Sequence, residues 1–220
     1  MACEATLCGK KLHGVMHVCA LVDSREEQYS LLGPYLREGF ACGAHLTTMV
    51  SEANVLDHVT RLRRDGLDPD RLMAQGNLSI STAEQAFPRD GSATPASILA
   101  HTEAHVERAH ASGFKGVRAF GEMDSALVAL RRVDELLELE ARLNFLALQA
   151  GDPIVCVYDV NRISGAVLAE LLCAHPKAII GGRLHENPFF QSPQASLQRV
   201  AERARRRIRV RERRAWTLQL

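Results

Sequence analysis

Residues 16–50, MHVCALVDSREEQYSLLGPYLREGFACGAHLTTMV, decide the fold. Val15 to Val22 is apolar apart from His17 and short, as in a strand buried on both faces. Asp23 and Ser24 make a polar turn, with Ser24 as N-cap and Glu26 and Glu27 where a helix N-terminus favours negative charge. Tyr29, Leu32, Leu36 and Phe40 then recur at helical spacing, Gly39 to Gly43 ends the helix, and His45 to Val50 returns as a second buried strand. Pro34 inside the helix predicts a kink or a boundary. Strand, helix, strand in this order is the pattern of an open α/β protein, in which a ligand is expected at the turn after the first strand. Here that turn, Val22 to Glu27, has no glycine and no lysine.

Outward from this unit the alternation continues. Ser51 to Asn54 opens a helix with Val55, Val59 and Leu62 on one face, closed near Gly66. A turn and short helical element at 67–72 precede a short strand, Leu78 to Ile80. Thr82 to Pro95 is polar and rich in Ser, Gly and Pro, which predicts an exposed loop. A helix over Ala96 to Ala111 ends near Gly113 and Gly116, and Val117 to Phe120 is a strand. One or two helices fill Ser125 to Gln149 around a seam of Leu136, Leu137, Glu140, Leu143 and Leu146. Pro153 to Tyr158 and Lys177 to Gly181 are strands separated by a helix over Gly165 to Ala174. The expected fold is therefore α/β, a mostly parallel sheet with helices on both faces. Residues 1–14 read as a loose leader, 15–191 as the body and 192–220 as a basic helical tail with a thin apolar stripe.

At 220 residues the chain is long enough for one domain with a sizeable core, and 46% hydrophobic with 24% charged residues is ordinary for a globular protein. The net charge of +1 hides an asymmetry, because nine arginines between Arg199 and Arg214 give that segment +7 against a body of about −6. No apolar run is long enough to span a membrane, and the first residues, MACEATLCGKKLHG, lack a secretory apolar block. The six cysteines, Cys3, Cys8, Cys19, Cys42, Cys156 and Cys173, form no CxxC pair and read as free thiols in a reducing cytoplasm.

Several fragments together carry a resemblance: HVC on the first strand, YLREGFACG, GEM after the middle strand, LELEARLN, CVYD and HPKAIIGGRLHENPFF. They are similar to the MEDS domain, the sensory module named for methanogens, methylotrophs and the dichloromethane regulator DcmR. The resemblance spans roughly Val15 to Gln191. It implies sensing of simple hydrocarbon derivatives in transcription or signal transduction, and a three-layer core related to RecA- and KaiC-like ATPases but without a working P-loop. A P-loop needs glycines to bring backbone N–H groups to phosphate, a lysine, and a Ser/Thr for magnesium. Asp23, Glu26 and Glu27 stand there instead and repel a triphosphate, so ATP hydrolysis is not expected. Family regulators attach a DNA-binding or kinase module, for which this chain leaves no room, so the output is expected through a regulatory protein partner or a fused module, with a homo-oligomer as another possibility.

His17 and Cys19 lie two apart on one strand and Cys156 and Tyr158 two apart on another, so each pair faces one side of its sheet. If those strands are neighbours, an imidazole, two thiols and a phenol converge as a small-ligand pocket. A mixed N/S metal site using His17, Cys19 and Cys156 is the less favoured alternative, and plain core packing suits the same spacing. Asp23 at the first turn, and Glu122 with Met123 at the end of the middle strand, stand where ligands bind. Arg183 and Glu186 in GGRLHENPFF either hold a polar ligand head or pair with Glu140 or Arg142. His175 reads as a helix-end histidine, and His101, His105 and His110 as a solvated helix face. No serine elbow or triad is present, so no catalysis and no cofactor are expected. The arginine tail suits weak, sequence-nonspecific nucleic-acid binding as the competing reading.

Overall fold

The computed structural model describes residues 3–86, 93–124, 126 and 133–217, with side chains as far as Arg206. A hairpin of β1 (Thr6–Leu7) and β2 (Lys10–Lys11) comes first. There follow β3 (His17–Val22), α1 (Arg25–Cys42), β4 (His45–Val50), α2 (Val55–Arg64), α3 (Pro69–Ala74), β5 (Leu78–Thr82) and α4 (Ala83–Ala86). The second half is α5 (Pro95–Ala111), β6 (Val117–Glu122), α6 (Val133–Ala150), β7 (Ile154–Asp159), α7 (Gly165–Ala174), β8 (Lys177–Ile180), β9 (Arg183–Glu186) and α8 (Pro193–Thr217). The sheet runs β5-β4-β6-β7-β3-β8-β9, parallel throughout except for the antiparallel edge strand β9. This is the mostly parallel α/β class, with helices on both faces of the sheet, that the alternation implies.

All six residues of β3 are buried, and its alternate side chains serve two different cores. Val18, Ala20 and Val22 pack with Leu32, Tyr35 and Leu36 of α1 and Leu62 of α2. Cys19 and Leu21 pack with Leu136, Leu139 and Leu143 of α6 and Leu171 of α7. Each such leucine taken fully out of water stabilises the fold by about 1.5–3 kcal/mol. Helix α1 starts where the sequence places it: the Ser24 side chain accepts the Glu27 N–H at 3.2 Å. It ends on Gly43 at φ 87°, a left-handed conformation suited to glycine.

Helix α1 continues past Pro34, which therefore marks no boundary, and Tyr35 and Leu36 just beyond it are almost wholly buried. Two expectations need correction. The segment 3–14 is no loose leader, because Ala5, Leu7 and Leu12 are buried in the α1 core. Arg118, only 1% exposed, reaches this segment through Nη2 and donates to the Glu4 carbonyl at 2.6 Å and the Cys3 carbonyl at 3.2 Å. Cys3 and Cys42 form a disulfide, with Cα atoms 5.9 Å apart, so Cys8, Cys19, Cys156 and Cys173 remain free. The docked segment is what brings Cys3 to the end of α1. Finally, GGRLHENPFF contains a strand: Gly181 and Gly182, at φ 55° and 70°, form a tight turn that folds β9 back on β8.

Of the expected loop 82–95, Ala83 to Ala86 is helical and residues 87–92 lie outside the described residues, as do Ser125 and residues 127–132 of the helix expected from Ser125. The tail helix α8 packs along α6. Arg203 pairs with Asp134 at 3.4 Å and with Glu170 at 2.5 Å, and Arg199 with Glu170 at 3.0 Å. Among the described residues no helix is long and apolar enough to cross a membrane.

A buried imidazole ties α1, α2 and β4 together. The Thr48 hydroxyl donates to the Ser79 carbonyl at 3.5 Å, so it accepts from His58 Nε2 at 3.0 Å, while the Tyr29 hydroxyl donates to His58 Nδ1 at 2.6 Å. Burial pushes the His58 pKa down to about 4, against weaker support for the charged form from Glu122. The neutral ring is thus the folded form, and its stabilisation is complete above the ordinary histidine value and is lost as pH falls towards about 4. Urea denaturation is expected to lose roughly 3 kcal/mol from this site across that interval. His58→Gln is expected to be less stable at neutral pH and to have a shallower pH dependence.

Candidate functional site

The parallel strands end on one side of the sheet, and there Val22, Glu122, Asp124 and Asp159 border a crevice of about 190 Å³ with Arg25 and Arg162. Its back wall is a carboxylate with no free acceptor direction. Glu122 Oε1 accepts from Arg25 Nη1 at 2.5 Å and Gln28 Nε2 at 3.0 Å. Oε2 accepts from Asn54 Nδ2 at 2.8 Å and the Ser51 N–H at 3.2 Å. Burial alone would raise its pKa, but the bonds from Asn54, Gln28 and Arg25 outweigh that and hold it below the usual value. Glu122 therefore cross-links β6 to α1 and to the turn after β4, and Arg25 continues the chain of charges to Asp57 at 2.8 Å.

Asp124 is the polar group with capacity to spare. Its Oδ1 accepts the Asp159 N–H at 3.2 Å, and Arg162 stands 3.6 Å from its other oxygen. Burial raises its pKa to about 6; the Asp159 N–H and Arg162 oppose the rise, while the charges of Asp159 and Glu122 add to it. Asp23 sits exposed on the rim, where its carbonyl accepts from Asn161 Nδ2 at 3.1 Å and ties the first turn to the turn after β7.

The second cluster lies behind the sheet, under α6 and α7. Strands β3 and β7 are neighbours with Cys19 opposite Cys156, so the condition set by the sequence spacing is met. His17, Cys19, Cys156 and Tyr158 share one face, and none of the four is more than 2% exposed. Packing delivers what the spacing did not: Glu140 and Asn144 from α6, and His175 from the end of α7. Glu140 Oε1 accepts from the Tyr158 hydroxyl. Its Oε2 lies 3.1 Å from His17 Nε2, 3.2 Å from His175 Nε2 and 3.3 Å from Cys156 Sγ. The two imidazole rings are 4.1 Å apart. Burial drives the His17 pKa down, with the neighbouring His175 ring adding to it, and drives the Cys19 and Cys156 thiols and the Tyr158 phenol well up. Glu140 stays well below the usual carboxylate value because the neighbouring imidazoles outweigh its own desolvation. His17, Glu140, Cys156 and His175 offer ligand atoms within 4.8 Å of one another, a group able to hold a metal ion.

Three sequence-designated residues fall elsewhere. Met123 is buried in the α6 core and not in the crevice wall. Arg183 and Glu186 are exposed on the edge strand β9, since the Gly181–Gly182 turn carries them away from the other strand ends. Glu186 pairs with Lys177 at 2.7 Å, Arg142 with Glu138 at 2.8 Å, and Glu140 with the imidazoles. His175 does end a helix, yet it is fully buried; Asn187 fixes its main chain by donating to the His175 and Leu172 carbonyls at 2.7 Å and 2.6 Å. His105 and His110 are not simply solvated, since they bond Thr47 at 2.8 Å and Asp152 at 2.7 Å. One signal for the missed members of this cluster is present in the sequence: Glu140 and Asn144 are polar residues four apart on an otherwise apolar seam.

Residues 16–176 match the family model "MEDS: MEthanogen/methylotroph, DcmR Sensory domain". A comparison with curated proteins finds no match. Among solved structures, flagellar accessory protein FlaH from Methanocaldococcus jannaschii is similar at 10% identity and a TM-score of 0.49, over 78% of this chain and 75% of that one.

Removing the carboxylate of Glu122 leaves the partly buried Arg25 guanidinium without its nearest counter-charge. Glu122→Ala is expected to cost about 3–5 kcal/mol in urea denaturation. Gln28→Ala, which deletes one neutral donor, is expected to cost about 1 kcal/mol.

Proposed function

Since the chain belongs to the MEDS family of sensory domains, we propose that the crevice at the strand ends is its sensing pocket. In this reading it binds a small hydrocarbon derivative with a hydroxyl or amine head and reports occupancy to a regulatory protein partner. The observation that carries the reading is the crevice itself. A space of about 190 Å³ beside Asp124 is below the roughly 300–1,000 Å³ of pockets for drug-sized ligands. It suits a molecule of a few heavy atoms.

The walls support the same choice. A triphosphate at this end of the sheet would meet Glu122, Asp124 and Asp159, and helix α1 begins directly after Asp23-Ser24 with no glycine-rich loop before it. Asp124 serves as the recognising group, accepting from an alcohol or amine. Arg25, Asp57, Arg61 and Glu26 link the crevice wall to α2 by ion pairs of 2.8–2.9 Å, which gives ligand binding a route to the outer surface of α1 and α2. The chain acts here as a binder and not as a catalyst. The arginine tail is less suited to a nucleic-acid role, because Arg199 and Arg203 are engaged with the body's own acids.

A ligand that binds only the folded state raises its stability by about 2.7 kcal/mol at a hundred times its Kd. Thermal denaturation is expected to shift upward with one class among small alcohols, amines and halocarbons, and not with ATP and magnesium. Asp124→Asn is expected to reduce the shift for an amine. Since only the ionised carboxylate pairs with an ammonium group, amine binding is expected to weaken as pH falls below about 6. A shift with ATP and magnesium alone would overturn the reading.

A further inference from the structure

We propose that His17, Glu140, Cys156 and His175 are the four ligands of a divalent transition-metal ion of the zinc kind, set in the core between the sheet and α6. The inference is independent of the crevice and of what binds there.

The first argument is the direction of the hydrogen bonds. Asn144 Nδ2 donates to the carbonyls of Glu140, Ala141 and Ala174 at 3.1, 3.4 and 2.7 Å, so Asn144 Oδ1 is the acceptor that faces His17 Nδ1 at 3.2 Å. His175 Nδ1 faces the Leu171 carbonyl at 2.8 Å. Both rings must carry a proton on Nδ1, which leaves the Nε2 lone pair of each neutral ring turned into the cluster. Such outer bonds to a carbonyl or an amide oxygen are what hold metal-binding histidines in orientation. The Cys156 thiol donates to Glu140 Oε2 at 3.3 Å and gives up that proton when a metal binds; the interior then consists of two nitrogen lone pairs, a carboxylate oxygen and a thiolate sulfur, all electron-pair donors.

The second argument is geometric. Tetrahedral bonds of about 2.0–2.3 Å place neighbouring ligand atoms about 3.3–3.8 Å apart. Four of the separations here are 3.1, 3.2, 3.3 and 3.3 Å, and all of them are within 4.8 Å. His175 Nε2 is buried without a hydrogen-bond partner among the described residues, although Glu140 Oε2 is 3.2 Å away. The oxygen is near enough but lies off the direction a ring N–H would take. A lone pair aimed at a shared centre accounts for that misalignment.

The third argument is charge. A divalent cation with one carboxylate, one thiolate and two neutral imidazoles sums to zero, which an interior without solvent favours. Protonating both imidazoles instead would put like charges on rings 4.1 Å apart. Nitrogen, oxygen and sulfur donors together suit zinc. Because the protein supplies all four positions and buries them, the site is closed and structural, and it fills as the chain folds. Cys19, across the strand pair, is not one of the four.

The test uses the full chain, made without a metal-affinity tag in zinc-supplemented medium. Elemental analysis is expected to find stoichiometric zinc that survives gel filtration with a chelator. Refolding with Co²⁺ is expected to give thiolate-to-cobalt charge-transfer absorption and the visible bands of a four-coordinate ion. Cys156→Ser is expected to lose the charge-transfer band and Cys19→Ser to keep it. Substoichiometric metal together with no cobalt spectrum in the unmodified chain would overturn the proposal even if the Cys156 variant failed to fold. So would a charge-transfer band that persists in Cys156→Ser and disappears in Cys19→Ser.

Discussion

A strand with neighbours on both sides and helices on both faces has nowhere to put a side chain except into protein. Strand β3 is under that constraint along its whole length, between β7 and β8. The two-residue period then divides its side chains between two interiors, and no local adjustment can move one without shifting register and exchanging all of them. Val18 and Ala20 are committed to α1, and His17 and Cys19 to α6 and α7. An imidazole placed there has to find its hydrogen-bond partners inside the protein. Much of the polar architecture of the α6 side follows from that need.

The two buried glutamates solve a common problem in different ways. Glu122 sits at the strand ends, within reach of an arginine, two amides and a backbone N–H, and these saturate its oxygens. Such a group is rigid, whereas its neighbour Asp124 keeps acceptor capacity beyond the Asp159 N–H and Arg162. Glu140 is deeper, and besides the Tyr158 hydroxyl it meets a thiol and two rings whose outer nitrogens are already committed. The first is a joint between elements; the second is a knot of titratable groups inside the core.

How much of this could be read from residues alone depended on the range of the interaction. The strands and most helices were legible because burial on two faces and helical amphipathicity are local periodic signals. The same-face grouping of His17, Cys19, Cys156 and Tyr158 was legible for the same reason, given only that the strands pair. Glu140 and His175 were not assigned to the group, because their place depends on how α6 and α7 lie across the sheet. The helical spacing of Tyr29, Leu32, Leu36 and Phe40 carries α1 past Pro34, and the burial of Tyr35 and Leu36 is the packing that opposes the proline's local penalty. Arg183 and Glu186 lie away from the strand ends because Gly181 and Gly182 turn the chain back on β8, a backbone signal that the neighbouring charges do not carry.

Arg118 sets where the folded unit starts. Its guanidinium is buried against Tyr35, with the Arg118 carbon 5.7 Å from the ring centroid, and the hydrogen-bond acceptors for Nη2 come from residues 3 and 4. The family match begins at residue 16. A chain trimmed to that boundary would keep every strand of the main sheet, but it would lose the main-chain oxygens that stabilise a buried cation, together with Ala5, Leu7 and Leu12 from the core. The family match and the packed fold of this protein therefore begin at different residues. Any fragment meant for expression, labelling or fusion has to be cut to the second.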